Sequence, residues 1–309
     1  MNAGTVESPA RVIVVGSVNI DTTLRVPALV TPGETVLATD TRTAVGGKGA
    51  NQAVAAAALG PGVALIGVVG TDPQGVRARA ALEDAGVDTT HLRSVQEPTG
   101  SAVVMVDESG ENMIVVTRGA NGALDPATVN TAVRQLAGTG AVVVASLEIP
   151  IAAVLAAAEG AAARNAIFML NPAPAVPLDA VILRRCDVLV PNATELEQLG
   201  GVRSLLDMGV RTVVTTRGRH GAEISRAGAA TIRVAAPGVD AVDSTGAGDA
   251  FVGALAVALR DRLDLEKAVE IAVVAGAVAT TGVGAQGANL DRSRLAGLGH
   301  SNGGRGGRP

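Results

Sequence analysis

The sequence predicts an α/β fold of three α/β/α layers, with a mostly parallel central sheet and a small β-sheet lid. Short apolar, β-branched runs alternate with Ala-rich runs of helical spacing, as in residues 12–15 and 51–59. Strands that are apolar throughout are typical of a parallel sheet covered by helices on both faces. Residues 21–45 and 98–118 instead contain runs that alternate polar and apolar positions. That pattern is typical of a sheet with one solvated face, so these two segments form the predicted lid.

The strands and helices follow one another in a regular order. Residues 12–15 form an apolar run that ends at Gly16, as a buried strand does, and the Ala-rich helix 51–59 ends at Gly60-Pro61. Strand 63–69 and a helix at 75–85, closed by Gly86, repeat this unit. The later predicted elements are strand 141–145, helix 151–164, strand 166–170, helix 178–184, strand 187–190, a short helix near 193–199, strand 211–216, and helices after Asp249 and Asp264.

The second lid segment has a hairpin pattern. Runs at 101–106 and 112–117 are joined by Asp-Glu-Ser-Gly, which is typical of a β-turn. Such a small sheet has too little protein of its own to cover an apolar face, and two lids packing together would bury both faces. The sequence therefore predicts a homodimer through the lid. The apolar face is expected to consist of Val103, Met105, Ile114 and Val116.

Composition limits the possible functions. The chain has 309 residues, 48% of them apolar, and a net charge of −4 without basic clusters, which argues against nucleic-acid binding. One cysteine, Cys186, and three dispersed histidines exclude a disulfide framework and a Cys/His metal site. Signal-peptide features and membrane-spanning runs are absent, so we expect a soluble cytoplasmic protein that does not bind membranes. We assign residues 1–299 to one domain and the Gly/Arg-rich residues 300–309 to a disordered tail.

The most informative stretch is 243–255, where a Gly-rich turn leads into a helical pattern with Asp249 at the junction. The first N–H groups of a helix attract anions, and Gly246, Ala247 and Gly248 would let a phosphoryl group approach them closely. A carboxylate would repel such an anion. Its presence is explained if Asp249 removes the proton from a hydroxyl that attacks phosphorus. An ordinary capped helix after a turn is the alternative.

Two polar turns lie in the N-terminal part of the chain. Asn19 and Asp21 occupy alternate positions after the first strand, so both side chains point the same way and suit neighbouring hydroxyls. A polar turn that closes the strand is the alternative. Residues 46–52, Gly-Gly-Lys-Gly-Ala-Asn-Gln, lack the first Gly and the Ser or Thr of a P-loop. Their glycines either close the backbone on a small polar ligand, with Asn51 as a donor, or begin the helix.

Three further turns follow predicted strands. Glu148 lies where ligands bind in α/β sheets, although capping of the next helix also explains it. Asn192 and Glu195 would hold magnesium-bound water or phosphate, or form a helix-start motif. Residues 215–221, with two glycines and two hydroxyls, suit a nucleotide or a hairpin turn.

In this order, the motifs resemble those of the PfkB carbohydrate kinase family over about residues 11–290, most specifically in 46–52 combined with 243–249. Residues 46–52 together with Asn-Pro-Ala-Pro-Ala at 171–175 are similar to its ribokinase branch. The other matching stretches are 16–21, 32–35, 67–72, 192–195 and 284–286. The resemblance implies ATP-dependent phosphorylation of D-ribose at O5 to D-ribose 5-phosphate, with Mg²⁺ and K⁺. It also implies a homodimer.

The resemblance implies a role for each matched residue. Asp249 would be the catalytic base, and the N–H groups of Gly246, Ala247 and Gly248 would form the anion hole. The sugar would contact Asn19, Asp21, Gly47, Lys48, Asn51, Glu148 and Asp249. ATP and its magnesium would contact Asn192, Glu195, Thr216, Arg217, Gly218, Gly221, Gly248 and Val273. The monovalent-cation loop would use Asp243, Thr245, Ala279, Gly282, Gly284 and Ala288.

The chain departs from the family pattern at three places. Ala288 stands where the ribokinase branch usually has Ser, which removes a possible K⁺ ligand. Val273 occupies an adenine-facing position that is often polar. The segment 199–211 is shorter than in the family and is expected to leave little room for the usual helix.

Other functions stay open at the sequence level. Another pentose, a nucleoside or a hexose would use the same fold and the same Asp249. A nucleoside kinase often needs an aromatic surface, and this chain has only Phe168 and Phe251. A sugar-binding regulator would not need Asp249 or the complete glycine turn. An NAD-dependent oxidoreductase would need the dinucleotide fingerprint that the chain lacks.

Overall fold

The computed structural model describes residues 11–288 and 290–299. Its strands are β1 (Val12–Val15), β2 (Asn19–Arg25), β3 (Asp40–Gly46), β4 (Val63–Gly70), β5 (Leu92–Val95), β6 (Gly100–Val106), β7 (Asn112–Thr117), β8 (Val142–Ser146), β9 (Ile167–Asn171), β10 (Val188–Leu189), β11 (Thr212–Thr216), β12 (Ala222–Ser225) and β13 (Ile232–Val234). Its α-helices are α1 (Lys48–Ala58), α2 (Pro73–Asp84), α3 (Pro126–Leu136), α4 (Ile151–Ala162), α5 (Ala180–Leu183), α6 (Ala193–Gln198), α7 (Gly201–Asp207), α8 (Ala247–Arg260), α9 (Leu265–Ala279) and α10 (Arg292–Gly299).

Within these residues, nine strands form one sheet in the order β13-β12-β11-β10-β9-β8-β1-β4-β5. The strands from β11 to β5 are all parallel to their neighbours, whereas β12 and β13 form an antiparallel edge. Strands β1 and β4 are buried along their whole length because helices cover both faces. The predicted α/β fold with a mostly parallel central sheet is confirmed.

Alternate residues of β1 pack into opposite halves of the core. Val12 and Val14 belong to a cluster with α1, α8 and α9, whereas Ile13 and Val15 belong to a cluster with α3 and α4. This arrangement follows from the period of two in strand side chains. Small residues let the helices approach closely: a Cβ on Gly253 of α8 would lie 2.7 Å from the carbonyl oxygen of Gln52 on α1.

The carboxyl ends of the parallel strands meet at one edge of the sheet. Val15 pairs with Ala145, and Ser146 pairs with Asn171. A bridge between Asn192 and Thr216, the last residue of β11, continues the edge beyond the end of β10. The polar residues that follow these strands therefore lie on the side where α/β sheets bind ligands.

Several element boundaries differ from the predictions. The helix predicted at 51–59 begins at Lys48, and the helix predicted at 178–184 is only Ala180–Leu183. The prediction that residues 199–211 leave little room for a helix is wrong, because α7 occupies Gly201–Asp207. Gly200 and Gly201 both have positive φ, 88° and 81°, so a tight left-handed turn joins α6 directly to α7.

The lid is a second sheet of four strands in the order β3-β2-β6-β7. Strands β6 and β7 form the predicted hairpin, but the predicted apolar face is wrong. The connection includes Glu111, whose carbonyl accepts the N–H of Asp107 (3.1 Å), so Val106 pairs with Asn112. This register puts Val103 with Val115 on one face and Val104 with Ile114 on the other. Both faces of β7 therefore expose apolar side chains: Met113, Ile114, Val115 and Val116.

In the described ranges, no helix is long and apolar enough to cross a membrane. The predicted tail at 300–309 lies outside the described residues.

Candidate active site

Asp249 lies in the first turn of α8. The helix begins after Gly246, which has a φ of 76° that non-glycine residues rarely adopt. A Cβ on Gly246 would lie 2.5 Å from Cα of Ala285, so this turn packs tightly against the loop after α9. Ala247 donates its N–H to the carbonyl of Ser244 (3.2 Å), whereas the N–H groups of Gly246 and Gly248 have no partner among the described residues. Two of the three amides of the predicted anion hole are therefore free.

The carboxylate of Asp249 is buried, with 8% of the residue exposed. Its Oδ2 accepts a hydrogen bond from Asn51 Nδ2 (3.2 Å), and its Oδ1 accepts one from Gln52 Nε2 (3.0 Å). Burial raises the pKa of Asp249 above its usual value, opposed by the charge of Lys48 and by the two amide hydrogen bonds. A raised pKa suits a carboxylate that must accept a proton near neutral pH.

Asp21 faces the same space from the lid strand β2. Burial, followed by the negative charges of Glu148 and Asp249, raises the pKa of Asp21 to about 6. Its Oδ1 is buried and has no hydrogen-bond partner among the described residues. Gly46 leaves room for this side chain, because a Cβ there would lie 1.9 Å from Asp21 Oδ2. An unpaired buried acceptor is suited to a ligand hydroxyl.

Asn19 precedes Asp21 on the same face of β2. Its Oδ1 accepts a hydrogen bond from Asn121 Nδ2 (2.8 Å), and Asn121 also pairs with the backbone N–H and carbonyl of Val18 (2.9 and 3.1 Å). Asn121 thus holds Oδ1 of Asn19, whereas Nδ2 of Asn19 remains available as a donor. Asn19 and Asp21 thus offer one donor and one acceptor side by side.

Glu148 closes the site from the end of β8. Its Oε2 accepts hydrogen bonds from Ser17 Oγ (2.5 Å) and from the backbone N–H of Lys48 (3.0 Å), the first residue of α1. The carboxylate therefore caps α1 rather than α4, which differs from the structural alternative predicted above. Gly49 lets α1 reach β1, because a Cβ there would lie 2.5 Å from the backbone of Gly16.

Six of the predicted nucleotide residues lie along the next strands of the same edge: Asn192, Glu195, Thr216, Arg217, Gly218 and Gly221. Asn192 and Glu195 form a capping box at α6, with both hydrogen bonds at 2.8 Å. Residues 215–221 form a hairpin between β11 and β12, whose turn is the 3-10 segment Gly218–His220. Both structural alternatives are therefore present. The capping box uses Oε2 of Glu195, so Oε1 takes no part in it.

Two predicted nucleotide contacts have other partners. Arg217 donates twice to Glu223 Oε2 (3.1 and 2.8 Å), which holds its guanidinium against β12. Val273 is buried on α9, one turn before Gly276. A Cβ added to Gly276 would lie 3.2 Å from the carbonyl oxygen of Ala247. Val273 is therefore near the amino end of α8, although its side chain packs in the core.

The predicted cation residues converge behind the glycine turn. Asp243 Oδ1 accepts the N–H of Thr245 (2.9 Å), and Oδ2 accepts the N–H of Gly284 (2.8 Å). The N–H of Gly282 donates to the carbonyl of Ala279 (3.4 Å), and a Cβ on Gly282 would lie 2.4 Å from the backbone nitrogen of Ala288. The structure brings all six predicted residues into one loop region.

Sequence reasoning missed the amides that organise this site: Gln52, Asn121, Asn171 and Gln286. Gln286 Nε2 donates to Asn51 Oδ1 (3.0 Å) and to the carbonyl of Val45 (3.2 Å). The motifs shared with the family contain three of these amides, Gln52, Asn171 and Gln286, so the resemblance could have indicated them. Asn121 lies in none of the motifs.

A cavity of about 800 Å³ lies elsewhere, between β13, α8, α9 and α10, and none of the predicted site residues lines it. The chemistry-bearing residues instead converge at the open edge of the sheet.

The profile of the pfkB family carbohydrate kinases matches residues 9–292. The chain belongs to this family. The ribokinase of Haemophilus influenzae is 38% identical over 286 residues, which are 88% of this chain and 93% of that protein. The deoxyribokinase of Salmonella typhi is 35% identical over 289 residues, 89% of this chain and 94% of that protein. The structure of Arabidopsis thaliana ribokinase complexed with ribose and ATP has a TM-score of 0.87 at 31% identity, covering 94% of this chain and 99% of that chain.

Proposed function

We propose that this carbohydrate kinase phosphorylates D-ribose at O5 with ATP, giving D-ribose 5-phosphate and ADP. The observation that carries the proposal is the position of Asp249, buried beside free N–H groups of α8 and opposite the unpaired oxygen of Asp21. A proton acceptor, anion donors and a sugar-hydroxyl acceptor are thereby adjacent. The similarity to ribokinases over most of the chain supports the choice of ribose.

The reaction follows from these groups. As O5 forms its bond to the γ-phosphorus, the bond to the bridging oxygen of ADP breaks, and Asp249 receives the hydroxyl proton. The N–H groups of Gly246 and Gly248 stabilise the charge on the transferring phosphoryl group. Asn19 and Asp21 hold the sugar diol through one donor and one acceptor. Lys48 and Asn51 close the site from α1, and Glu148 lies near the anomeric end.

The magnesium that accompanies ATP would be held, through water or phosphate, by Asn192 and Glu195. The free Oε1 of Glu195 is an oxygen ligand of the type that this ion prefers. When bound, magnesium neutralises phosphate charge. Thr216, Gly218 and Gly221 would form the nucleotide edge beside them.

A potassium ion would fit the loop that surrounds Asp243. The donors there are a carboxylate and backbone carbonyls, which suit a hard monovalent cation. The loop is tight enough for carbonyls to converge, since a Cβ on Gly287 would lie 1.9 Å from the carbonyl oxygen of Val283. Ala288 offers no hydroxyl, so we expect weaker affinity than a Ser would give.

A sugar fits the site better than a nucleoside does. The only aromatic residues of the chain, Phe168 and Phe251, are 1% and 4% exposed, so neither can stack on a base. The related deoxyribokinase makes 2-deoxyribose the nearest competing substrate. We also propose that the protein is a cytoplasmic homodimer joined through the lid.

A coupled kinase assay with ribose, 2-deoxyribose, fructose and adenosine tests this function. The highest kcat/KM is expected with ribose. A higher kcat/KM with any of the other three would overturn the proposed substrate, and transfer to none of them would overturn the proposed activity.

A further inference from the structure

Two amides of α1 hold the carboxylate of Asp249, one on each oxygen. Asn51 reaches Oδ2 and Gln52 reaches Oδ1. Neighbouring residues on a helix point about 100° apart, so the two amides approach from different directions. The carboxylate cannot rotate without breaking one of the two hydrogen bonds.

Gln52 is itself fixed from the sheet. It is fully buried, and Nε2 also donates to Asn171 Oδ1 (3.1 Å) at the end of β9. Asn171 in turn donates its Nδ2 to the backbone carbonyl of Val190 (2.9 Å), which sets its own orientation. A flipped Gln52 would direct its oxygen at two acceptors, so only one orientation is stable. Gln52 Oε1 is buried and unpaired among the described residues, which is the cost of this orientation.

We propose that Gln52 is a positioning residue that, together with Asn171, connects Asp249 to the central sheet and fixes it for proton transfer. The inference rests on the proposed role of Asp249 as the base. Gln52 differs from Asn51, which accepts from Gln286 and lies among the predicted sugar contacts. Gln52 is not among the predicted sugar contacts, so its replacement should act on Asp249 and Asn171 rather than on sugar binding.

The charged groups around Asp249 determine how its pKa should respond when Gln52 is replaced. Lys48 stabilises its ionised form, whereas Glu148 opposes ionisation, and Asp21 on β2 is close enough for Asp249 to raise its pKa. The amide of Gln52 acts in the same direction as Lys48, because a hydrogen bond to a carboxylate favours the charged form. Removing that amide should therefore raise the pKa of Asp249.

Gln52→Met keeps the length and the apolar packing of the side chain but removes both donors. We expect kcat to fall roughly tenfold to a hundredfold, with the sugar KM changing less than about threefold. The acidic limb of the kcat profile should move upward by about one pH unit. Asn130→Leu is the matched control. It removes a partly buried hydrogen bond from Asn130 Nδ2 to the carbonyl of Ala156 (3.1 Å), which joins α3 to α4. It should lower stability without moving the acidic limb.

A second readout does not need turnover. Carboxyl NMR of protein labelled with ¹³C-Asp follows the titration of Asp249 in the unliganded state, with the signal assigned by Asp249→Asn. The signal of Asp249 should titrate at higher pH in Gln52→Met than in the wild type. Asn171→Leu should give a smaller shift in the same direction, because Asn171 contacts Gln52 and not Asp249. Should Gln52→Met fail to fold by circular dichroism, Asn171→Leu decides. An unchanged titration in the folded variants overturns the inference, whereas failure of the wild type to phosphorylate ribose overturns only the proposed function.

Discussion

At the scale of single residues, the candidate site brings together the carboxylates of Asp21, Glu148 and Asp249 beside Lys48. Carboxylates accept several hydroxyl hydrogen bonds at once, so such a group suits a polyhydroxylated ligand. The same group is unfavourable in the empty protein because like charges repel each other in a partly buried space. Binding and stability therefore make opposite demands on Asp21.

Asp21→Asn should raise the thermal stability of the unliganded protein at pH 8 more than at pH 5. The pKa of Asp21 is about 6 in the folded state against 3.8 ordinarily, so the folded protein holds this proton more tightly than the unfolded chain. Ionisation of Asp21 therefore removes stability as the pH rises from about 4 through 6. The Asn side chain stays neutral at both pH values, so the variant does not lose this stability. Tm measures the difference, and the ribose KM of the variant should rise at the same time.

Asp72→Asn is the matched control for this titration. Hydrogen bonds from Thr99 lower the pKa of Asp72, so it is ionised in both the folded and the unfolded states at pH 5 and at pH 8. Its Tm change should be the same at both pH values. Equal changes for Asp21→Asn at the two pH values would contradict the raised pKa.

The sequence predicted those site residues whose position depends on local backbone structure. Asp249 follows a glycine turn at a helix start, and Asn19 and Asp21 alternate along a strand, so neighbouring residues carry the information. Gln52 could not be assigned in this way, because its partners Asn171 and Asp249 are 119 and 197 positions away. Nothing in the local pattern specifies such contacts.

At the scale of elements, the loop after α9 supports the amino end of α8. Ala285 packs against Gly246, and Asp243 joins the segment before α8 to Gly284. A cation held in this loop would lie behind the turn that presents the free N–H groups. Its charge would strengthen the field at those groups and steady the turn.

Turnover should therefore be faster in potassium than in sodium or tetramethylammonium at fixed ionic strength. Ala288→Ser should lower the potassium concentration for half-maximal activity, because the added hydroxyl supplies one more oxygen ligand. Initial rates across a potassium titration measure both effects. Equal rates in the three salts would mean that this loop does not bind an activating cation.

Element types were easier to predict than pairing. Buried strands and Ala-rich helices have distinct periods, so most of the central α/β units could be predicted. The lid faces were mispredicted because one residue, Glu111, belongs to the hairpin connection, and a shift of one residue moves every side chain to the other face. Strands β12 and β13 are only four and three residues long, so their pattern is weak.

At the scale of the whole molecule, the lid leaves apolar surface exposed. Ile114, Val115 and Val116 of β7 are 55%, 57% and 52% exposed. Ile114 and Val116 lie on one face of this small sheet, and an exposed apolar face favours burial against a second copy of the chain. The lid also carries Asp21, so this association would connect oligomeric state with the sugar site.

Light scattering at micromolar concentration should give twice the mass of the chain. The double variant Ile114→Glu, Val116→Glu should give the monomer mass and a raised ribose KM, because charges on one lid face oppose its burial. Val76→Glu, which changes an apolar residue on α2 that is at least as exposed, should stay dimeric. A wild type of monomer mass would refute the lid interface.

Asp249→Asn tests most directly whether Asp249 accepts the sugar proton. The amide has nearly the same shape but cannot take up a proton, so turnover of ribose should fall on the order of a hundredfold to ten-thousandfold. Ribose binding measured by calorimetry should stay within about threefold of wild type, since Asn19 and Asp21 remain. Asp84→Asn, an exposed change of the same kind on α2, is the control and should retain wild-type turnover. Near-wild-type turnover of Asp249→Asn would contradict the assignment of this residue as the base.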